Sequence, residues 1–484
     1  MKKTCAWLLS ILCCLGTLPI FLGCKKIQNA HTRYEIIAEY VPENNMLTGA
    51  LKVTFENPTD NEMDVLKFQL YPNAYRKGAL CSPIRAADKE LAYPKGESYG
   101  EMVISSVNGG KNWEIMGEDQ NILYVFLEKP LYPTEKVVLD IGFTTKFAFV
   151  NHRTGVTDSV VNLGNFFPVL CGIKNGGFYE TLYYSLGDPF YLDAADYKLT
   201  LTLPKEYTVA STGEQKEERM LESKKVHTMY ATNVRDFAVA LSKKYRFVTD
   251  MVGGKTLFYY YYRDKEPSKT FSVMKEAFSY FEKTFGTYPY PVCTLAETSL
   301  CTNGVAYPAF LFLSETVEGE KRIETVVHSM AHQWWGCVVG SDQIENAWQD
   351  EGLAAYSTLL FYEANEKYEK KREELVTAAL KEYRSYYDVY GSVLGRTDTN
   401  MQRHLKDYVN EYEYRCLAYH KGLIMLDTLR KSVGDHKFFL GLKKYYVENR
   451  YAQATPEHLI AAFERVGLDV RGFFESFLQG KTVL

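Results

Sequence analysis

Hydrophobic and polar residues alternate with a period of two along much of the first half of the chain. The clearest sets are Leu51, Val53 and Phe55, then Leu66, Phe68 and Leu70, and then Leu199, Leu201 and Leu203. Turn-forming sequences lie between and beyond these sets: Pro58-Thr59-Asp60-Asn61, Asn108-Gly109-Gly110, Pro204-Lys205 and Gly253-Gly254. Alternation interrupted by turns is typical of antiparallel strands that bury one face. The pattern predicts a β domain over residues 34–250.

Helical periodicity replaces the alternation after Lys255. Val273, Ala277, Phe281 and Phe285 recur four positions apart, and Gly286 then provides a stop signal. A short strand is predicted at 294–298, and helical patterns cover 322–337, 346–365, 368–387, 412–429 and 456–466. The second domain, residues 251–484, is therefore predicted to be mainly helical.

The length of the chain indicates the number of domains, and its charge bears on the kind of partner it binds. A chain of 484 residues exceeds one average core, which agrees with two domains. The net charge is −4, and no run of Lys and Arg stands out. We therefore do not expect nucleic acid as a partner.

The first residues have the pattern of an export signal. Lys2 and Lys3 precede an uncharged, mostly apolar stretch that ends in Gly23-Cys24. A small residue before a Cys, after an apolar run, resembles a bacterial lipoprotein signal in which residues 1–23 are removed and Cys24 is lipidated. Residues 24–33 are then a tether. The alternative is an uncleaved N-terminal anchor, and both interpretations predict an exported protein held at the extracytoplasmic face of the cell membrane.

Cysteine spacing does not suggest a thiolate metal site. Six Cys follow Cys24, and none forms a C-x-x-C pair. Export would permit disulfides, and Cys293 and Cys301 are the only close pair, but unpaired packing is an equal alternative.

A metal-binding pattern lies within the predicted helix 322–337. His328 and His332 are four positions apart, so both imidazoles project from one helix face and reach one ion. Glu351 follows near the start of the next predicted helix. Two His and one Glu leave a fourth zinc position open, which is the catalytic arrangement. The sequence therefore predicts one Zn²⁺ ion at this site.

These motifs resemble those of a known enzyme family. The similar segments are His328-x-x-x-His332-Gln333-Trp334-Trp335-Gly336, Trp348-Gln349-Asp350-Glu351-Gly352, Gly187-Asp188-Pro189-Phe190, Ser211-Thr212-Gly213, Arg235-Asp236-Phe237-Ala238 and Gly286-Thr287-Tyr288-Pro289-Tyr290-Pro291. Together they are similar to the membrane alanyl aminopeptidase family of gluzincin zinc metallopeptidases, to which leukotriene A4 hydrolase is related. The resemblance implies an N-terminal antiparallel β saddle and a thermolysin-like zinc domain, without the C-terminal helical domain of many relatives. It also implies that Tyr419, in Tyr419-His420-Lys421-Gly422, stabilises the oxyanion.

The first departure from the family concerns its general base. The family has His-Glu-x-x-His, whose Glu takes a proton from zinc-bound water, but this chain has Ser329 there. A hydroxyl is a very poor base near neutral pH, and general acid–base help is worth about 10²–10⁴ in rate. The substitution predicts lost or strongly impaired hydrolysis.

The second departure concerns the grip on the substrate's free α-amine. The family motif Gly-x-Met-Glu corresponds to Asn303-Gly304-Val305-Ala306, followed by Tyr307-Pro308. Ala306 stands at the Glu position, so the carboxylate is replaced by a methyl group. A register one residue later places Tyr307 at the Glu position, and the carboxylate is still missing. The predicted substrate-binding segment is Gly304, Val305, Ala306 and Tyr307.

Three interpretations follow. The preferred one is a zinc-binding aminopeptidase homologue with little or no peptidase activity, whose partners are peptides or protein N-termini. A working aminopeptidase would need another base, for which Glu324 and Asp350 are candidates, although a solvated helix charge and a partner of a ligating His are simpler interpretations of these two residues. A peptide-binding or peptide-sensing lipoprotein is the third, with an extended peptide added to a strand such as 294–298.

Overall fold

The computed structural model describes residues 32–395 and 397–482. The predicted leader and Cys24 lie outside these residues. Within the described residues, no helix is both long and apolar enough to cross a membrane.

Seventeen strands form the N-terminal β domain. They are β1 (Thr32–Val41), β2 (Met46–Glu56), β3 (Met63–Gln69), β4 (Glu101–Asn108), β5 (Asn112–Met116), β6 (Ile122–Leu131), β7 (Lys136–Lys146), β8 (Thr154–Val156), β9 (Val161–Leu163), β10 (Val169–Leu170), β11 (Ile173–Lys174), β12 (Gly177–Phe178), β13 (Ala195–Pro204), β14 (Thr208–Ser211), β15 (Glu214–Leu221), β16 (Lys224–Val234) and β17 (Val239–Ser242). The one α-helix described among them is α1 (Lys89–Ala92).

A seven-stranded sheet organises this domain, in the order β15-β16-β13-β1-β2-β7-β4. All its neighbours are antiparallel except β1 and β13, which run parallel. Tyr34, Ile36, Ala38 and Tyr40 on β1 are buried at every second position. The alternation read from the sequence is therefore the burial pattern of a sheet with one face on the core.

The second domain begins with a mixed sheet and continues with helices. Its strands are β18 (Arg246–Val252), β19 (Lys255–Tyr261), β20 (Val292–Thr298), β21 (Gly304–Tyr307), β22 (Phe310–Ser314), β23 (Gly340–Ser341) and β24 (Gln453–Ala454). The first five form one sheet in the order β18-β19-β20-β22-β21. The division at residues 250 and 251 that the sequence indicates thus runs through β18.

Nine α-helices complete the described part of this domain. They are α2 (Pro267–Phe285), α3 (Gly319–Ala331), α4 (Trp348–Ala364), α5 (Arg372–Leu394), α6 (Glu411–Tyr414), α7 (Gly422–Val433), α8 (Asp435–Glu448), α9 (Pro456–Glu464) and α10 (Arg471–Leu478). A π-helix, Arg415–Lys421, joins α6 to α7. The predicted fold class, β saddle followed by a mainly helical thermolysin-like domain, is confirmed.

Two helices that carry the site cross at a pair of glycines. A Cβ atom on Gly422 of α7 would stand 2.8 Å from the Cα of Gly352 on α4. Only glycine at both positions permits this approach. The contact brings the first turn of α4, with Glu351, against the segment that carries Tyr419.

Candidate metal centre and cleft

His328, His332 and Glu351 converge as predicted. His328 lies in the last turn of α3, and His332 is the C-cap of the same helix, which ends at Ala331 rather than at the predicted 337. The two Nε2 atoms are 3.2 Å apart. Glu351, in the first turn of α4, places Oε2 3.3 Å from the His328 Nε2 and 3.2 Å from the His332 Nε2.

These three atoms fit a zinc ion. Bonds of about 2.0–2.1 Å in tetrahedral geometry put neighbouring ligand atoms about 3.3–3.4 Å apart, close to the three distances found. The Glu351 Oε2 atom is buried, and no well-aligned donor within the described chain hydrogen-bonds to it. A cation placed between the three ligand atoms would give the Glu351 Oε2 atom the partner it lacks. Two imidazoles and one carboxylate are the ligand types of an open zinc site, and within the described residues this is the one cluster of three such side chains.

The three ionisable side chains of the cluster shift one another's pKa values. Burial lowers the pKa of His328, whereas Glu351 overcomes burial and raises the pKa of His332 to about 9. Burial would raise the pKa of Glu351, but contact with both imidazoles holds it below its usual range. The Glu351 carboxylate is therefore anionic. A buried anion is stable only when a positive charge lies beside it.

Neighbouring groups fix the ligands in place. The His332 Nδ1 atom is 3.1 Å from the carbonyl oxygen of Trp335, so its N–H donates there. Nε2 is then the nitrogen available to a metal ion, which would displace the proton that Glu351 favours there. Asp350 is buried and accepts from the Gln343 side chain. Tyr414 donates from Oη to Glu351 Oε1 at 3.2 Å. Sequence reasoning missed Tyr414, because nothing in its local sequence separates it from the other 37 tyrosines.

Tyr419 stands over the metal ligands. Its ring stacks on that of His328 with centroids 5.6 Å apart, and it lies on the π-helix between α6 and α7. Burial, and then the Glu351 charge, raise the pKa of Tyr419 well above its ordinary value. The phenol therefore stays protonated and can donate a hydrogen bond to a developing oxyanion.

Ser329 faces the same cleft but brings no carboxylate. It is 5% exposed, and its Oγ would lie 3.2 Å from a Cβ atom on Gly304. Glu324, one helical turn before His328, also lines the cleft, but its side chain is 44% exposed and its Oε1 atom is 3.5 Å from Lys321 Nζ. Asp350 does not line the cleft.

The predicted substrate-binding segment is the edge strand β21, which pairs only with β22. Gly304 and Val305 line the cleft, whereas Ala306 and Tyr307 line a small cavity behind it. The prediction that strand 294–298 accepts a peptide is wrong, because β20 lies between β19 and β22 and both its edges are already paired. Strand addition needs an unpaired edge, which β21 has.

The cleft has a volume of about 520 Å³ and lies between the two domains. Arg85, His152 and Asp188 line it from the β domain, and the metal ligands His328 and Glu351 line it from the other side. This volume falls in the range of pockets that bind small ligands.

Replacing Tyr414 by Phe is expected to lower zinc affinity about 10–100-fold, because the Glu351 ligand loses the hydroxyl that orients it. Chelator competition measures the affinity. Tyr408→Phe is the matched control, since that buried hydroxyl has no hydrogen-bond partner in the described chain and its ring packs on Tyr414. Equal zinc affinity in the two variants would show that the Tyr414 hydrogen bond does not support the ligand.

Comparison with known proteins agrees with this geometry. Residues 301–477 match the Peptidase family M1 domain. Aminopeptidase 2, mitochondrial, of Saccharomyces cerevisiae is 28% identical over 209 residues, which are 40% of this chain and 21% of that protein. Leukotriene A-4 hydrolase of Xenopus laevis is 25% identical over 188 residues, 38% of this chain and 30% of that protein. The matches therefore span less than a third of these relatives' lengths.

A solved structure extends the likeness to the whole fold. An M1 zinc metallopeptidase from Deinococcus radiodurans superposes with a TM-score of 0.67 at 16% identity, over 94% of this chain and 95% of that one. A mutant of the same enzyme, bound to a Tyr-Ser-Ala substrate, gives a TM-score of 0.66. Residues 301–477 thus match a peptidase family M1 domain, the chain as a whole has the fold of an M1 zinc metallopeptidase, and His328, His332 and Glu351 form a site that fits one zinc ion.

Proposed function

We propose that this protein is a membrane-anchored, zinc-binding M1 homologue that binds peptides or protein N-termini and has lost most or all peptide hydrolysis. The observation that carries the proposal is Ser329, which faces the cleft one residue after the ligand His328. A bound zinc ion supplies Lewis-acid polarisation and acidifies its water. The serine hydroxyl neither removes a proton from that water near neutral pH nor returns one to a leaving amine.

The remaining parts of the site favour retained binding. Tyr419 lines the cleft beside His328, and β21, which carries Gly304 and Val305, presents a strand edge that is unpaired within the described chain. These groups act on a bound peptide without any proton transfer. Ligand binding without turnover is therefore the activity that this set of residues supports.

A working aminopeptidase is the alternative, with Glu324 as its base. Glu324 lines the cleft, but its side chain pairs with Lys321 and is 44% exposed. Asp350, the other candidate, lies behind the ligands and is held by Gln343. Neither residue is positioned as the missing Glu would be.

Turnover of amino-acid p-nitroanilides by the zinc-loaded protein tests the proposal. We expect a rate within about tenfold of the uncatalysed background, with zinc content near one per chain. The control is the same sample stripped of zinc by a chelator. Clear turnover that disappears with the zinc would instead support the working enzyme, and Glu324→Gln would then show whether Glu324 is the base.

The cellular location is a separate part of the proposal and rests on Lys2, Lys3 and the Gly23-Cys24 pair. We propose lipidation of Cys24 and attachment to the extracytoplasmic face of the membrane. Mass spectrometry of the N-terminal peptide distinguishes the possibilities. A diacylglyceryl adduct on Cys24 is expected, and an unmodified peptide that still contains residues 1–23 would point to an uncleaved anchor.

A further inference from the structure

Position 306 carries a methyl group, and behind it lies a small cavity. The cavity has a volume of about 60 Å³ and is bounded by Ala306, Tyr307, His332, Arg153 and Asp188, among others. About 10–15 Å³ of such volume admits one water-sized group. An ammonium group therefore fits in the space beside Ala306.

Asp188 and Arg153 line both this cavity and the main cleft. The Asp188 Oδ1 atom is 2.5 Å from the Arg153 Nη1 atom, and the Asp188 side chain remains 24% exposed. No donor in the described part of the chain hydrogen-bonds to its other oxygen, Oδ2. One carboxylate oxygen is thus fixed by the arginine, while the other is open to a ligand.

Asp188 also lies close to the metal centre. A Cβ atom on the preceding Gly187, whose φ is +61°, would stand 2.8 Å from the Tyr414 Oη atom. Burial is the main cause that raises the pKa values of Tyr414 and Tyr419, and the Asp188 charge adds to it in both. The carboxylate is therefore within electrostatic range of the tyrosines that surround the zinc ligands.

Each of the other acidic residues that line the cleft pairs with a cation, belongs to the zinc site or is exposed to solvent. Asp88 and Glu411 both pair with Arg85, Glu324 pairs with Lys321, and Glu351 is the zinc ligand. Glu382 is exposed on α5. Asp188 is the one cleft carboxylate that borders the cavity behind Ala306.

We propose that Asp188 binds the α-ammonium group of the ligand in this cleft, through the cavity beside Ala306. The inference rests on the proposed peptide-binding function and names the ligand class, which is compounds with a free N-terminal amine. Arg153 is a positioning residue, because it holds the carboxylate in place without touching the amine. Asp188 of the β domain thereby supplies the negative charge that β21 lacks at Ala306.

Two zinc-binding probes test this assignment without any need for turnover. Leucine hydroxamate and 4-methylpentanohydroxamate differ only in the α-amine, and the hydroxamate group binds zinc in both. Calorimetry on the zinc-loaded full chain should show the amine compound binding about tenfold or more tightly, which is the usual worth of a charge-assisted hydrogen bond. Asp188→Asn should abolish the preference while leaving the affinity for the amine-free compound within about twofold.

Two further variants test whether the preference for the amine-bearing probe depends on Asp188 and on the cavity beside Ala306. Asp88→Asn changes another cleft aspartate and should keep the preference. Ala306→Leu fills the space beside position 306, leaves Asp188 intact and should remove the preference, which keeps the assignment testable if Asp188→Asn fails to fold.

Failure of this assignment differs from failure of the proposed function. Equal affinity for the two probes in the parent protein, or an unchanged preference in Asp188→Asn, would overturn the role of Asp188 alone. Binding of neither probe to the zinc-loaded protein would overturn the ligand-binding function and the role of Asp188 with it.

Discussion

Converting Ser329 and Ala306 to Glu together is expected to create an aminopeptidase, with turnover about 10²–10⁴-fold above the parent protein. The zinc ligands and Tyr419 are already in place, and Asp188 is the amine-binding group proposed above. The missing parts are therefore a proton carrier at position 329 and the carboxylate that the family motif has on the edge strand at position 306. Position 329 faces Gly304, which has no side chain to obstruct a longer residue. Position 306 borders a cavity that can accept one.

The matched control for this gain is the double change to Gln at the same two positions. Glutamine has nearly the same shape as glutamate but carries no charge and accepts no proton. Hydrolysis of amino-acid p-nitroanilides, with zinc content determined on each sample, measures the effect. If the Glu and Gln variants are equally inactive with zinc fully bound, the missing carboxylates are not what limits hydrolysis at this site.

Replacing Arg322 by Met is expected to destabilise the second domain by about 3–5 kcal/mol, because it leaves buried carboxylates without their cation. Arg322 lies in the first turn of α3 and is 8% exposed. Its Nη2 atom is 3.0 Å from Glu297 Oε1, and its Nη1 atom is 2.8 Å from Asp264 Oδ2. Glu297 is fully buried and also accepts three backbone N–H groups from residues 262–264.

This network fixes the start of the metal helix to the central strand β20, on which Glu297 lies. Urea denaturation followed by circular dichroism measures the loss. Lys321→Met is the control on the neighbouring position, where an exposed ion pair contributes at most about 1 kcal/mol. Equal stability of the two variants would contradict a structural role for the buried network.

Local sequence signals predicted the zinc ligands well, because the four-residue spacing of His328 and His332 fixes one helix face. Period-two alternation likewise predicted the β domain. The apolar pattern predicts an end for α3 that is too late. Trp334 and Trp335 continue this pattern but are buried beyond the helix, in a turn closed by a hydrogen bond from the Val339 N–H to the Trp334 carbonyl.

Contacts between residues that are far apart in the chain could not be predicted from local sequence patterns. Tyr414 and Asp188 gain their significance only when separate segments meet near Glu351. The position of β20 inside its sheet also depends on pairing with β19 and β22, so its sequence alone could not show that both edges were taken. Helix α8 was not predicted, although its buried residues Phe438, Leu442 and Tyr445 recur at helical spacing.

The most direct test of the account is a crystal structure of the unmodified protein grown with zinc and a tripeptide that has a free N-terminus, with diffraction recorded at the zinc absorption edge. We expect one anomalous peak between His328, His332 and Glu351, and an intact peptide in the cleft. Absence of zinc at these residues, or a peptide cleaved after its first residue, would contradict a site that keeps its metal ligands and has lost its proton carrier.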